Sequence, residues 1–419
     1  MKKVLSVLMA FSMLLGLASF AGAESTEPIT ISFWNGWTGA DGDVLIEKVD
    51  EFNETNPYGI TVEMDINAEF QTKIAATFAA NEGPTVILGA NNYPDMYGDY
   101  LSDMTDIFTL TDLNRDNFLP SYLDAFTRGE TLYGMPFQVT SRFMYWNKDL
   151  FAAAGLDPDV PPASYEEWAE FASKITNEDM NVYGSGISYN NIFTNLQLLQ
   201  RMGGLFVDFD ADGNLKANFA GNEGYAKFLN WLKAMIDAED NPLESDTESM
   251  FKAGQVAIMP SGAWTSAGAD AAGINYGVAM LPYGDAGPMN PSSVTGFCVT
   301  KFATEAERLA AYRFIEWWYV GDSATEMTGA LAWSLVCGYP GYYLPAINDD
   351  RYQASEKLAM MTSTDPAAAT TYMAPIEFTQ TYLLAVEVIE AMIEDVVIDS
   401  QSAEIALENA QAGADALLK

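Results

Sequence analysis

The residues of this 419-residue chain that could do chemistry are acids, aromatics and amides, and what is missing narrows the field first. There is no histidine, which removes the commonest general base, the usual activator of serine and cysteine nucleophiles, and the commonest metal ligand. Adjacent acids such as Glu166 and Glu167 could serve glycoside hydrolysis, which needs two carboxylates across a sugar ring. With 58 acids in the chain such pairs arise by chance, and these two fall on an expected solvent face. Asp208, Asp210, Asp212 and Gly213 match the first half of a calcium loop, in which carboxylates at alternate positions converge on a hard cation. The ninth and twelfth positions are Lys216 and Phe219, so the expectation is a hairpin turn between Phe206 and Phe219, with calcium as the alternative. No phosphate-cradling glycine loop, dinucleotide fingerprint or nucleophile elbow is present. What recurs at expected loop positions is Trp37, Asn91, Asn92, Tyr93, Asn190, Asn191, Trp264, Tyr343 and Tyr382. Aromatic faces are apolar plates that suit the C–H faces of pyranose rings, and amides offer donors and acceptors to hydroxyls. Any one of these residues is ordinarily core or turn; their recurrence is the informative part.

The elements that must position them alternate between strand and helix. Ile29, Ile31 and Phe33 alternate with Thr30, Ser32 and Trp34, predicting a first strand that ends at Asn35-Gly36-Trp37. A helix over 43–52, a strand over 60–64, a helix over 71–80 and a buried strand over 85–88 follow. This βαβαβ order predicts a mainly parallel sheet whose ligand crevice lies at the carboxyl ends of its strands, facing the loops 35–41 and 89–95. Residues 132–150 then read as β structure leaving one lobe and entering a second, with Pro136 restricted to a strand end or an edge. Ser164 with Glu167, Asn222, and Thr304 with Glu307 mark helix starts, and Tyr225, Phe228, Leu229 and Leu232 form a core stripe. Residues 294–299 predict a second β crossing, and the last third is helical apart from interruptions around 339–345, Pro366 and Pro375.

Length alone predicts two domains. The net charge of -38 argues against nucleic acid, anionic lipid and phosphate-rich partners and favours a neutral or cationic ligand. Lys2 and Lys3, the apolar run 4–20 and Ala21-Gly22-Ala23 compose a secretory signal peptide over residues 1–23, with a membrane anchor as the weaker reading because the run is short. No cysteine stands near residue 20 to take a lipid, so a free periplasmic protein is expected. Cys298 and Cys337 are the only cysteines; they could pair in an oxidising compartment, but two small buried thiols are expected.

The ordered segments ISFWNGWTG, FNETNP, GPTVILGANN, LYGMPFQVTSRFMYWNKDLFAAAGLDP, FKAGQVAIMPSGAW, INYGVAMLPYG and TGFCVTKFATEAERLAAYRFIEWW span nearly the whole exported chain. Together they resemble the extracellular solute-binding proteins of sugar-importing ABC transporters, of the maltose- and glycerol-phosphate-binding type. The resemblance implies an α/β fold of two lobes, the type II periplasmic-binding-protein fold, joined by hinge strands around a ligand cleft. It divides the chain into 24–138 with 296–342, and 139–295 with 343–419. It implies a monomer that delivers a neutral mono- or oligosaccharide to a membrane permease, without catalysis, cofactor, metal or nucleic acid. Carried over by position, Asn35, Trp37, Thr38, Asn91 and Asn92 line the first lobe's side, and Gln138, Thr140 and Arg142 lie on the hinge strand. Asn191, Trp264 and Tyr382 face them from the second lobe, Gly296 offers a backbone contact, and Tyr343 lies near the third crossing. Two departures refine the expectation. The helix near Tyr382 lacks the basic residue of glycerol-phosphate binders, and the position beside Asn91 carries amides where maltose-type members offer a tryptophan. Arg142 is expected in a structural ion pair, with contact to a sugar carboxylate as its alternative. A binder of glycerol phosphodiesters or uronates, and a secreted carbohydrate-active enzyme, are the competing readings.

Overall fold

The computed structural model describes residues 28–211, 214–244, 246–287, 292–322, 324–362 and 384–418. The first sheet has five strands. In β1 (Ile29–Asn35) Ile31 and Phe33 are fully buried while Ser32 and Trp34 are half-buried and Thr30 is exposed, as their alternation requires. It lies between β2 (Ile60–Ile66) and β3 (Val86–Ala90), parallel to both. The connections are α1 (Ala40–Thr55) and α2 (Phe70–Ala79), which make the expected βαβαβ unit. β9 (Ser292–Val299) runs antiparallel between β3 and β4 (Met135–Ser141), and a register shift at Thr295/Gly296 brings Gly296 opposite Pro136. Because β4 is an edge strand, Pro136 deprives no neighbour of an interior ladder bond.

The second sheet has four strands, in the order β8 (Tyr276–Met280), β5 (Phe143–Asn147), β7 (Val256–Ser261), β6 (Tyr183–Ser185). β5 and β7 are buried along their whole length, since helices cover both faces. A single residue, Arg142, separates β4 of the first sheet from β5 of the second. The chain passes from lobe to lobe at that point and passes back between β8 and β9.

Local signals in the sequence are met by local bonds. Asn147 Oδ1 accepts from the amides of Asp149 and Leu150 and starts the short helix Lys148–Ala153. Ser164 accepts from the Glu167 amide, while the Glu167 carboxylate turns to the Ala163 amide, so only half of that capping box closes. Thr304 and Glu307 close theirs fully, at the start of α8 (Glu305–Val320). Tyr225, Phe228, Leu229 and Leu232 are all buried. The expected hairpin is present as antiparallel strands Val207–Phe209 and Leu215–Ala217. Asp212 and Gly213 of the calcium reading lie outside the described residues.

The first lobe's core is an aromatic column. Phe137 stands 4.5 Å from Trp333, 5.1 Å from Trp318 and 5.1 Å from Phe297 between ring centroids, and Phe33 joins through Phe297 at 5.8 Å. Each such pair adds about 0.5–1.5 kcal/mol beyond the area it buries. The buried cluster that holds this column continues into the second sheet through Tyr145, Val256 and Met259, and residues of 339–361, among them Tyr343, Tyr352 and Leu358, pack into it. The other large core holds the second lobe with the helices Glu390–Val397 and Ala403–Leu417. Both cysteines are free: Cys298 is buried in β9, whereas Cys337, at the end of the helix Gly329–Cys337, is half-buried, so the thiols are unpaired as expected but only Cys298 is the buried thiol foreseen.

Asp322, just beyond α8, is a test of acid stability. Burial alone would raise its pKa, but the Ala324 amide, the hydroxyls of Thr55 and Thr325 and the Trp317 indole hold it below the usual carboxylate range. Its contribution is therefore full above the unfolded-state carboxylate value, about 3.9, and is lost as pH falls through the depressed folded value. We expect Asp322→Asn to lower the melting temperature at pH 7, where those bonds are fully present, and to flatten the acid limb of melting temperature against pH, so that variant and wild type converge at low pH.

Candidate ligand-binding site

The site is built from one stripe of polar residues. Along β4 successive side chains alternate in face, so Gln138 and Thr140 share one, and the same alternation carries that face on to Arg142 at the crossing. Trp37, in the loop after β1, donates from Nε1 to Gln138 Oε1 at 3.2 Å, and Gln138 Nε2 donates to Thr140 Oγ1 at 3.0 Å. At the other end the Arg142 guanidinium stands 4.7 Å from the centroid of the Trp264 ring, which belongs to the second lobe. A polar stripe thus runs up to the lobe junction, hydrogen-bonded from Trp37 to Thr140 and continued by Arg142 against Trp264, with an indole at each end.

Trp37 is oriented by its edge-on contact with Phe137, 5.8 Å between centroids, and its amide is bonded by Asn35 Oδ1 at 3.0 Å. Beside it lies a hollow of about 370 Å³, lined by Trp37, Thr38, Asp41, Gln71, Ala90 and Thr295 among others. Its size lies within the range of small-molecule sites, about 300–1,000 Å³. Two amide atoms at the carboxyl ends of β1 and β3, Asn35 Nδ2 and Asn92 Oδ1, are buried without hydrogen-bond partners among the described residues. Buried polar groups are nearly always satisfied, so a spare donor and a spare acceptor at that edge mark unmet hydrogen-bonding capacity.

On the second lobe, Trp264 follows β7 and starts the helix α7 (Thr265–Ala271). It is 36% exposed, high for a tryptophan, yet it is held on three sides. Its Nε1 donates to Glu248 Oε2 at 3.1 Å, Arg142 covers part of a face, and Gly262 lies so close that a Cβ there would fall 1.8 Å from the ring. We expect Gly262→Ala to swing the ring out of place and cost nearly as much ligand affinity as removing it. Because the ring is exposed and can yield, the ligand-free melting point should fall by only a few degrees; titration and thermal melting check both.

Arg142 is 6% exposed, and its Nε donates to Thr194 Oγ1 at 2.9 Å while its amide donates to Gln197 Oε1 at 2.8 Å. Burial drives the guanidinium down to about 10, against which the Glu248 carboxylate and Tyr339 act to keep its proton. The expected structural ion pair is absent: no carboxylate among the described residues lies within 4.0 Å of it, and its charge is balanced at longer range.

The remaining expected site residues divide. Asn191 caps the helix Ile192–Gly203, accepting from the Thr194 amide at 3.1 Å, and so supports the residue that holds Arg142. Asn91 is committed to the sheet: its amide and Oδ1 both bond Val294, and its carbonyl accepts from Arg128. Gly296 sits inside the first sheet, where a Cβ would fall 2.6 Å from the Phe126 ring. Tyr343 is 3% exposed and packs 5.0 Å from Phe118 and 5.2 Å from Tyr319, away from the stripe. Tyr382 lies outside the described residues. Reasoning from sequence did not single out Asp41 and Gln71, which line the hollow beside Trp37, Glu248, which bonds Trp264, or Tyr339, whose hydroxyl meets Asp41. Nothing distinguishes Glu248 in the sequence from other acids of a chain so rich in them.

Two lobes hinged about short crossings, with aromatic plates and polar groups converging where they meet, define a receptor that holds a small ligand between domains. A family model described as bacterial extracellular solute-binding protein matches residues 47–372, and the chain belongs to that family. A binding protein of Brucella abortus (strain 2308) is 25% identical over 333 residues, 77% of this chain and 78% of that one. The sn-glycerol-3-phosphate-binding periplasmic protein of Escherichia coli K12 is 26% identical over 291 residues, 65% of each chain. Among solved structures, the cyclic alpha-maltosyl-1,6-maltose binding protein of Arthrobacter globiformis superposes with a TM-score of 0.75 at 21% identity, covering 94% of this chain and 100% of that one. The sugar-binding protein of Xanthomonas citri gives 0.76 at 20% identity, covering 93% and 97%. The fold is accordingly the two-lobed type II fold of periplasmic sugar-binding proteins.

Proposed function

We propose that this protein is the substrate-binding component of an ABC importer and takes a neutral mono- or oligosaccharide between its lobes. The observation that carries this reading is the stripe of Gln138, Thr140 and Arg142 with Trp37 at one end and Trp264 at the other. The indoles supply faces for pyranose C–H groups, and the stripe supplies donors and acceptors for hydroxyls. A sugar that touches both lobes only when they are closed favours closure by its differential affinity, and a membrane permease reads the closed form. The sugars named for the solved relatives, from cyclic alpha-maltosyl-1,6-maltose to mannobiose, support the class. The protein acts by binding, without turnover, cofactor or nucleic acid, as a monomer exported to the periplasm after loss of residues 1–23.

The test is a thermal-shift screen of the exported chain against neutral sugars, uronates and glycerol phosphates, with intrinsic tryptophan fluorescence and product analysis in parallel. A ligand that binds only the folded state raises the melting point by mass action. A rise of several degrees with one neutral sugar family, a fluorescence change and no product is the expected result. Shifts confined to anions would move the reading to a ligand for Arg142, and silence across the panel would remove the saccharide reading.

A further inference from the structure

We propose that Glu248 sets the charge class of the ligand: by balancing Arg142 across the Trp264 ring it keeps the second-lobe half of the cleft selective for uncharged sugars over acidic ones. The inference rests on the saccharide reading above. Glu248 stands on the short helix Thr247–Lys252, and its Oε2 accepts from Trp264 Nε1 at 3.1 Å and from Ser261 Oγ at 3.3 Å. The same carboxylate is the leading influence that opposes the desolvation of Arg142. Arg142 is buried, cationic and without an ion pair among the described residues, on the strand crossing where the ligand must lie. A desolvated cation of that kind attracts a ligand carboxylate strongly unless a fixed negative charge already compensates it. Glu248 is that fixed charge, and it would repel an incoming uronate where Arg142 attracts it. Lys252 reaches the other oxygen, Oε1, at 3.3 Å, but it and Glu248 are each about a third exposed, at 33% and 31%, so water screens that pair more than the buried guanidinium.

Two effects of Glu248 can be separated. It positions the indole through a hydrogen bond, which an amide oxygen can also accept, and it supplies charge, which an amide cannot. In Glu248→Gln the Trp264 bond has a substitute while Arg142 is left uncompensated; in Glu248→Ala both functions go.

The experiment titrates wild type, Glu248→Gln, Glu248→Ala and the double variant Glu248→Gln/Arg142→Gln with matched pairs, glucose against glucuronate and galactose against galacturonate. Di- and trisaccharides of each kind extend the panel, at low and high salt. In Glu248→Gln, neutral-sugar affinity should fall only a few-fold, while the ratio of uronate to neutral affinity rises tenfold or more. That gain should shrink at high salt, as a charge effect must, and should vanish in the double variant. Glu248→Ala should lose more neutral-sugar affinity than Glu248→Gln. The inference is overturned if Glu248→Gln changes both members of a pair by the same factor, which is what a merely structural residue would do. It is also overturned if the gain survives loss of Arg142, or if wild type already prefers the uronates. Those failures leave the saccharide reading standing; wild type binding no sugar of any kind would remove both together.

Discussion

Trp264→Ala is expected to weaken saccharide binding about thirtyfold or more while the ligand-free melting temperature stays within about 2 °C of wild type. The ring is 36% exposed, so little of its surface contributes to the fold. It is nevertheless fixed by Glu248, Arg142 and Gly262, so its binding orientation exists before the ligand arrives. A pre-oriented aromatic at the centre of a contact is the type of residue that contributes about 2 kcal/mol or more, and about 1.4 kcal/mol is a factor of ten. Calorimetric titration of the sugar found in the screen, beside thermal melting without it, measures both quantities. Unchanged affinity would show that the ligand lies elsewhere than against this ring.

Phe137→Ala should behave in the opposite way and damage both properties. Phe137 is fully buried in β4, packed on Trp318, Trp333 and Phe297, and it also carries the edge of Trp37. Removing a buried phenylalanine ring costs about 3–5 kcal/mol, because the cavity it leaves is only partly refilled. For a cooperative unit of one lobe's size that is a fall in melting temperature on the order of 10 °C. Affinity should fall as well, since Trp37 loses its lateral support and the next residue, Gln138, holds its indole nitrogen. A variant that melts early yet binds normally would separate the Trp37 end of the stripe from the ligand. Comparing the two variants tells apart a residue that binds from a residue that supports one.

Much of the fold was legible because it rests on local patterns. The alternation in β1, the capping residues Ser164, Asn222 and Thr304, and Pro136 at an edge are each decided within a few residues of chain. The ordered family segments extended this to two lobes and a cleft. The residues that the structure brings together follow directly from that frame: Trp37 after the first strand, Gln138, Thr140 and Arg142 on the crossing, Trp264 after β7.

Long-range partners were not legible. Asn91 and Asn92 are adjacent amides of the same type, yet one is bonded to Val294 across the sheet and the other keeps a buried oxygen without a partner among the described residues. Tyr343 and Trp264 are both aromatics near chain crossings, yet one is 3% exposed in a tyrosine–phenylalanine cluster and the other is 36% exposed at the cleft. Composition and periodicity determined that this chain is acidic, histidine-free and built of alternating strands and helices with aromatic and amide residues at its loops, and the resemblance of its ordered segments added the two lobes and the sugar. The tertiary structure alone decided which of them meet, that Arg142 has no ion pair among the described residues, and that Glu248, far from it in sequence, bonds the indole that Arg142 covers. The reason is physical: capping and alternation are set by neighbours along the chain, whereas burial and charge compensation depend on which distant segments the fold brings into contact.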